Sequence, residues 1–320
     1  MKKEILIIGA GAVGLVYGKH FADAGHQVTF FVREKYLDEM SKGSILYHLN
    51  QDKSLNRPIR FTQYSLISTY EEVHQHNWDQ VYLCISSTAL QSFDFSGFQE
   101  ALQGKPTVIM LQPSVQDLER LRETFPKEQI VEGMITLISY GAPLATENVD
   151  IPGIAYWLPP FMPTPFSGQM NRRQEVIKTF LESQIAAKSS KSVGEQSLFP
   201  TAFLMAFLTA LESSQWKFDS LTKDAPLLKQ LTQSIQEIFA SLEAQHQVRR
   251  PFPLRLISPA VIKALLRLAP HVMPMDIETY FEAHFTKVKD QTKLYMKNYL
   301  DTARAGGKEH ATLQVLNQLT

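Results

Sequence analysis

Two groups of residues in this 320-residue chain have the types and spacing to do chemistry. The first is Gly9-Ala10-Gly11-Ala12-Val13-Gly14, with Arg33 further along. An apolar run at residues 4–8 leads into these glycines, and a helical stretch to Ala24 leads out of them. A strand, a glycine turn and a helix in that order make a dinucleotide fingerprint. Gly9 permits the tight turn, Gly11 lets the backbone approach a pyrophosphate, and Gly14 allows close helix–strand packing. Unpaired amides at the helix N-terminus, those of Ala10, Ala12 and Val13 among them, would hold the phosphates. The second strand, Gln27–Val32, ends at Arg33 rather than at the Asp or Glu that bonds a ribose 2′-hydroxyl in NAD-preferring proteins. A planar guanidinium suits a 2′-phosphate, so the expected cofactor is NADP(H). Glu34 could serve the ribose in the opposite sense, and Arg33 with Lys35 could instead form a solvated charged turn.

The second group is His284, Lys287, Gln291 and Tyr295, at i, i+3, i+7 and i+11, a single stripe if the segment is one helix. Together they offer a cation, a proton donor and an amide. Carbonyl reduction beside a nicotinamide could use these functions: an acid for the alkoxide, a donor to polarise the carbonyl and a cation for an anionic group of the substrate. Lys287 is the first choice as acid or carboxylate clamp, the acid role requiring burial to lower its pKa. The competing reading of the stripe is a solvated helix face. Ser86, Ser87 and Thr88 follow one buried strand, and Gln112-Pro113-Ser114 follows the next. Ligands bind outside the carboxyl ends of parallel strands, so Ser86, Ser87 and Gln112 are expected to line the nicotinamide side of a cofactor. Glu212-Ser213-Ser214 is a weaker candidate, equally readable as a helix running out into solvent. His74 and His76 have no partnering ligand pattern, so no metal is expected. Cys84 sits inside an apolar run and reads as a structural thiol.

The elements that must position these residues fall into two kinds. As far as about residue 192 the pattern alternates short apolar runs with helical stretches: Gln80–Ile85, Thr107–Leu111, Ile130–Ser139 and Gly153–Leu158 read as strands. Ser44–Phe61 reads as a β-hairpin or irregular insertion, and Tyr156-Trp157 as a strand edge or packing feature. This predicts an α/β fold with an N-terminal Rossmann-type parallel sheet domain, 1–192. Residues 193–320 predict an all-helical C-terminal domain, with helices over Ser197–Trp216, Ala225–Ala244, Ser258–Leu268 and Ile277–Ala305. Its long helices could supply a homodimer interface.

Lys plus Arg and Asp plus Glu each number 32, so the formal charge is zero. That balance argues against nucleic acid or an anionic membrane as main partner. The single cysteine fits a reducing, cytoplasmic setting, and neither a signal peptide nor a membrane span is expected. The apolar, basic stretch 252–270 reads as a core-packing helix with Lys263 and Arg267 on its wet side, in preference to a membrane-surface helix.

The opening ILIIGAGAVGLVYGKHFADAGHQVTFFVR resembles that of the ketopantoate reductase family, as does the order of segments along the chain. Arg33 falls at the family's 2′-phosphate arginine, and Leu111-Gln112 at its leucine–glutamine. The resemblance implies NADPH-dependent reduction of 2-dehydropantoate to pantoate. Other positions depart from the family. Ser86 or Ser87 stands where it has a lysine, and Pro113-Ser114 where it has Asn-Gly. Leu198, Ala202 and Ala206 replace its catalytic lysine and two asparagines, and Lys293 its late glutamate. Only the cofactor residues are therefore carried over. Three readings follow: a reductase of ketopantoate, a reductase of another substrate on the same scaffold, or a catalytically silent NADP-binding sensor or assembly protein.

Overall fold

The computed structural model describes residues 2–112, 115–305 and 311–318. Contacts divide the chain into two compact units, Met1–Pro143 with Glu147–Gly194, and Leu144–Thr146 with Glu195–Thr320.

The first unit begins β1 (Glu4–Ile8), α1 (Ala12–Asp23), β2 (Gln27–Phe31), α2 (Leu37–Ser41), β3 (Ser44–His48), β4 (Ile59–Phe61) and β5 (Ser65–Ile67). It continues with α3 (Tyr70–His74), β6 (Gln80–Leu83), α4 (Ser87–Gln91), α5 (Phe95–Ala101), β7 (Thr107–Met110), α6 (Val115–Thr124) and β8 (Ile130–Gly133). It closes with β9 (Ile138–Ala142), β10 (Gly153–Trp157), β11 (Thr164–Gly168), α7 (Met170–Glu182) and β12 (Ala187–Ser189).

Eight of these strands form one sheet in the order β12-β11-β8-β7-β6-β1-β2-β5, parallel throughout except between β8 and β11. The period-2 geometry of a strand sends Ile5 and Ile7 to one face and Leu6 and Ile8 to the other. Both faces are covered, so β1 is apolar at every one of those positions. Ile5 and Ile7 pack with Tyr17, Phe21 and Phe180 from α1 and α7. Leu6 and Ile8 pack with Trp78, Phe98 and Phe125 on the opposite side. Strand order reverses between β1 and β6, and this switch point is where such a sheet opens a crevice.

A second sheet, β4-β3-β10-β9, corrects the expectation for residues 130–158. Ile130–Ser139 is not one strand: β8 ends at Gly133, and β9 starts at Ile138 in the other sheet. Tyr156 is no edge residue, because β10 lies between β3 and β9. It is fully buried, stacked 4.6 Å from His48, and its hydroxyl lies 3.2 Å from His20 Nε2 on α1. The other His20 nitrogen is 3.1 Å from the Ser183 carbonyl. A neutral ring donating to that carbonyl and accepting from Tyr156 satisfies both, and burial pushes its pKa down to about 4.

The second unit is helical: α8 (Val193–Ser213), α9 (Phe218–Lys223), α10 (Ala225–His246), α11 (Phe252–Arg255), α12 (Pro259–Val272), α13 (Ile277–Lys287), α14 (Lys289–Ala305) and α15 (Ala311–Gln318). The single helix expected over 277–305 is two, broken at Val288, where the backbone leaves helical geometry at φ −109°, ψ 22°. No helix among the described residues is long and apolar enough to cross a membrane.

Candidate functional site

The carboxyl ends of β1, β2 and β6 open into a cavity of about 960 Å³ within the first unit. Gly9, Ala10 and Gly11 form its floor, and Val32 and Arg33 enter from the end of β2. Tyr36 and Tyr70 also line it, as do Ile45 and Ile154 of the second sheet.

The three fingerprint glycines face different surroundings. Gly9 has φ +94°, in the region glycine tolerates, and a Cβ there would lie 2.6 Å from Ile85 Cγ2. A Cβ on Gly14 would lie 2.3 Å from the Gly9 carbonyl oxygen, so α1 can cross the turn this closely only without a side chain. A Cβ on Gly11 would meet nothing within 4 Å. Gly11 instead opens on the cavity, as the N-cap of α1 in extended geometry with no side-chain cap. The first-turn amides of Ala12, Val13 and Gly14 lack intrahelical acceptors and sit at the positive end of the helix. No acidic residue occupies that turn to compete for them. An empty Cβ position, unused amides and an adjacent cavity fit a dinucleotide pyrophosphate.

Arg33 is exposed, and its carbonyl accepts from the Tyr36 amide at 2.9 Å, which starts a short 3₁₀ turn holding Glu34 and Lys35. The Lys35 ammonium lies over the Tyr36 ring at 4.9 Å. Of these three charged residues, Arg33 alone lines the cavity.

The strand-end polar residues have structural tasks. Ser86 caps α4, accepting from the Ala89 amide at 3.2 Å, and its hydroxyl is 2.9 Å from that of Thr88. Ser87 is buried in the first turn of α4. The cavity lining at this strand end comes from Ile85, Ala89 and Ser92. The Gln112 amide group is committed to backbone: it donates to the carbonyls of Leu83 at 3.0 Å and Ile85 at 2.6 Å and accepts from the Leu111 amide at 3.2 Å. Pro113 and Ser114 lie outside the described residues. Burial pushes the Cys84 thiol up to about 12, which leaves it protonated and unreactive.

In the second unit the proposed stripe is interrupted. His284 and Lys287 belong to α13, Gln291 and Tyr295 to α14, and the side chain of Gln291 lies outside the described residues. His284 is half-buried, 5.3 Å from the Tyr280 ring and 4.8 Å from that of Phe285. Burial, and secondarily the charge of Lys287, lower its pKa. Lys287 is exposed, so it lacks the burial that an acid role demands. Glu212 pairs with Lys289, an ion pair between α8 and α14 that neither residue's local sequence advertised. The Ser213 and Ser214 hydroxyls donate back to the carbonyls of Thr209 and Ala210. Ala202 and Ala206 are buried in α8.

Residues 5–143 match the family model described as ketopantoate reductase PanE/ApbA. This segment is a ketopantoate reductase domain. The family is one of oxidoreductases that bind nicotinamide cofactors. No curated protein matches the chain by sequence. Solved structures match over nearly the whole length. A 2-dehydropantoate 2-reductase from Geobacter metallireducens GS-15 is 16% identical with TM-score 0.72, covering 99% of this chain and 98% of that one. A PanE/ApbA family ketopantoate reductase from Ralstonia eutropha JMP134 is 19% identical with TM-score 0.71, covering 99% and 96%. A D-mandelate dehydrogenase in complex with NADH and anilino(oxo)acetate is 15% identical with TM-score 0.72, covering 99% and 96%. At these identities the likeness is one of fold.

Proposed function

We propose that the chain is an NADPH-dependent reductase of a small 2-oxo acid, with 2-dehydropantoate, reduced to pantoate, as the first substrate to test. The observation that carries this reading is that Arg33, at the end of β2, lines the same cavity as Gly11, whose Cβ position is empty. The first-turn amides of α1 bind the pyrophosphate, and the Arg33 guanidinium pairs with the 2′-phosphate. Nicotinamide bound there would supply hydride for the substrate carbonyl carbon, and the resulting alkoxide would take its proton from solvent water. Lys287, being exposed, is assigned the carboxylate-holding role rather than that of acid. His284, its protonation opposed by burial and by Lys287, would polarise the carbonyl as a neutral N–H donor, assisted by Gln291.

A second reading is reduction of a different 2-oxo acid. It is favoured by the buried, apolar Ala202 and Ala206 at positions aligned with the family's polar residues. The D-mandelate dehydrogenase among the fold neighbours extends the substrate panel to aryl 2-oxo acids. The test is NADPH oxidation with ketopantoate and with alkyl and aryl 2-oxo acids, beside direct binding of NADPH and NADH. Turnover of ketopantoate supports the first reading, and turnover of another panel member alone supports the second. Tight NADPH binding without turnover on any acid would overturn both in favour of a silent NADP-binding protein.

A further inference from the structure

The net charge of zero conceals a strong local imbalance. Residues 244–275 contain no Asp or Glu, yet carry Arg249, Arg250, Arg255, Lys263 and Arg267. The same stretch exposes large apolar side chains. Phe252 is 68% exposed, Leu256 55%, Leu265 53%, Leu268 57% and Val272 56%. On α12, Leu265, Leu268 and Val272 fall at i, i+3 and i+7, one stripe directed away from the packed Ile262 and Leu266. The sequence expectation that α12 keeps only its charged side wet is therefore corrected: an aliphatic stripe is wet as well.

Beside this stretch a pocket of about 500 Å³ is lined by Gln236, Glu243, Arg249, Arg250 and Arg255. Arg250 is held in place. It pairs with Glu243 at 2.7 Å, bonds Gln236, and lies over the Phe239 ring at 5.4 Å. Glu243 is thereby occupied and also feels the charge of Arg255, while neither Arg249 nor Arg255 lies within ion-pair distance of a carboxylate among the described residues. Two exposed guanidiniums at the mouth of a pocket are suited to a phosphate-bearing anion.

We propose that residues 249–272 dock the protein on an anionic lipid bilayer, with Phe252, Leu256 and the α12 stripe entering the acyl boundary and headgroup phosphates meeting Arg249 and Arg255. Charge decides the occupant. A second copy would set one acid-free cationic segment against another across an isologous contact, whereas an anionic surface complements it. The apolar residues also favour lipid over an acidic protein. Four of the five are Leu or Val, which are under-represented among the hot spots of protein interfaces, and the fifth is Phe; none has a polar handle for a protein partner. Aliphatic side chains flanked by Lys and Arg are the pattern of interfacial segments.

Flotation of the full-length protein with vesicles tests this independently of its catalytic activity. Phosphatidylcholine vesicles containing about one-third phosphatidylglycerol should capture the protein, and phosphatidylcholine alone should not. Added salt should release it. Arg249→Glu with Arg255→Glu should weaken capture by more than about 25-fold, since each cation near the surface contributes about fivefold. Leu265→Asp with Leu268→Asp should abolish it. All four positions are exposed, so unchanged thermal unfolding certifies the fold of both variants. No capture by the anionic vesicles, or capture indifferent to both pairs of substitutions, overturns the proposal. So does equal competition by inorganic phosphate alone, or a dimer in sedimentation that Leu265→Asp with Leu268→Asp dissolves.

Discussion

The turn at residues 9–14 and the helices at 277–305 were both candidate sites, and their outcomes differ for a physical reason. In the turn every requirement is local. A positive φ, a close approach and a free helix end are properties of six consecutive residues, and Arg33 is only one strand further on. In the C-terminal helices the stripe rested on helical phase continuing through 277–305. One non-helical residue, Val288, ends α13, so helical phase alone does not carry from His284 and Lys287 into α14. A site written into contiguous backbone needs no such continuity, whereas a stripe drawn over three turns does.

The contrast can be pressed by substitution. Gly11→Val puts a branched side chain into the open cavity and should weaken NADPH binding at least 100-fold, about 2.7 kcal/mol by affinity arithmetic, with the unfolding midpoint unchanged. Unchanged affinity by titration would remove the turn from the cofactor site. Acid should act on the first unit next. His20 accepts a proton at about pH 4 when folded and near 6.5 when unfolded, so the unfolded chain binds more protons between those values. Stability should therefore fall as pH drops from 6.5 to 4, by up to about 3 kcal/mol, and level off below. His20→Gln should flatten that slope in urea unfolding measured across the range.

Arg33→Ala should cost NADPH about 1.5–3 kcal/mol of binding and leave NADH alone. Equal losses for the two cofactors would reject the 2′-phosphate contact. Gly14→Ala should do the reverse of Gly11→Val. Its Cβ would press on the Gly9 carbonyl, so it should cost about 1–3 kcal/mol of stability, read as a lower unfolding midpoint. Lys287→Ala should have the smallest effect, raising KM for the oxo acid about tenfold, about 1.4 kcal/mol, with NADPH affinity intact. Full activity would take Lys287 out of the mechanism.

The parallel sheet followed by helices was legible because β1, β6 and β7 are short, uniformly apolar runs, as strands buried on both faces must be. The second sheet was not. Ile130–Ser139 reads as one apolar segment, and nothing in its period marks the change of sheet between Gly133 and Ile138. Strand β11 contains Pro165, which weakens any strand signal, and β5 and β12 are three residues each. Gln112 was legible as a strand-end amide, but not that three backbone groups already claim it. The exposed apolar stripe of α12 was hidden for another reason. A hydrophobic face read from periodicity does not say how much of that face a neighbouring helix will cover.

The engagement of Gln112 has a consequence for how the cavity takes up a ligand. One side chain pins the carboxyl end of β7 to the carbonyls of Leu83 and Ile85 at the end of β6, next to Gly9. Without it these strand ends would fray independently, and only a fraction of molecules would present a formed floor at any moment. With it the two strand ends are tied together before anything arrives, so less conformational entropy is left to lose on association. The glutamine thus acts as a preorganising strut, whose removal should reduce the binding-competent population and leave intact every contact the ligand makes.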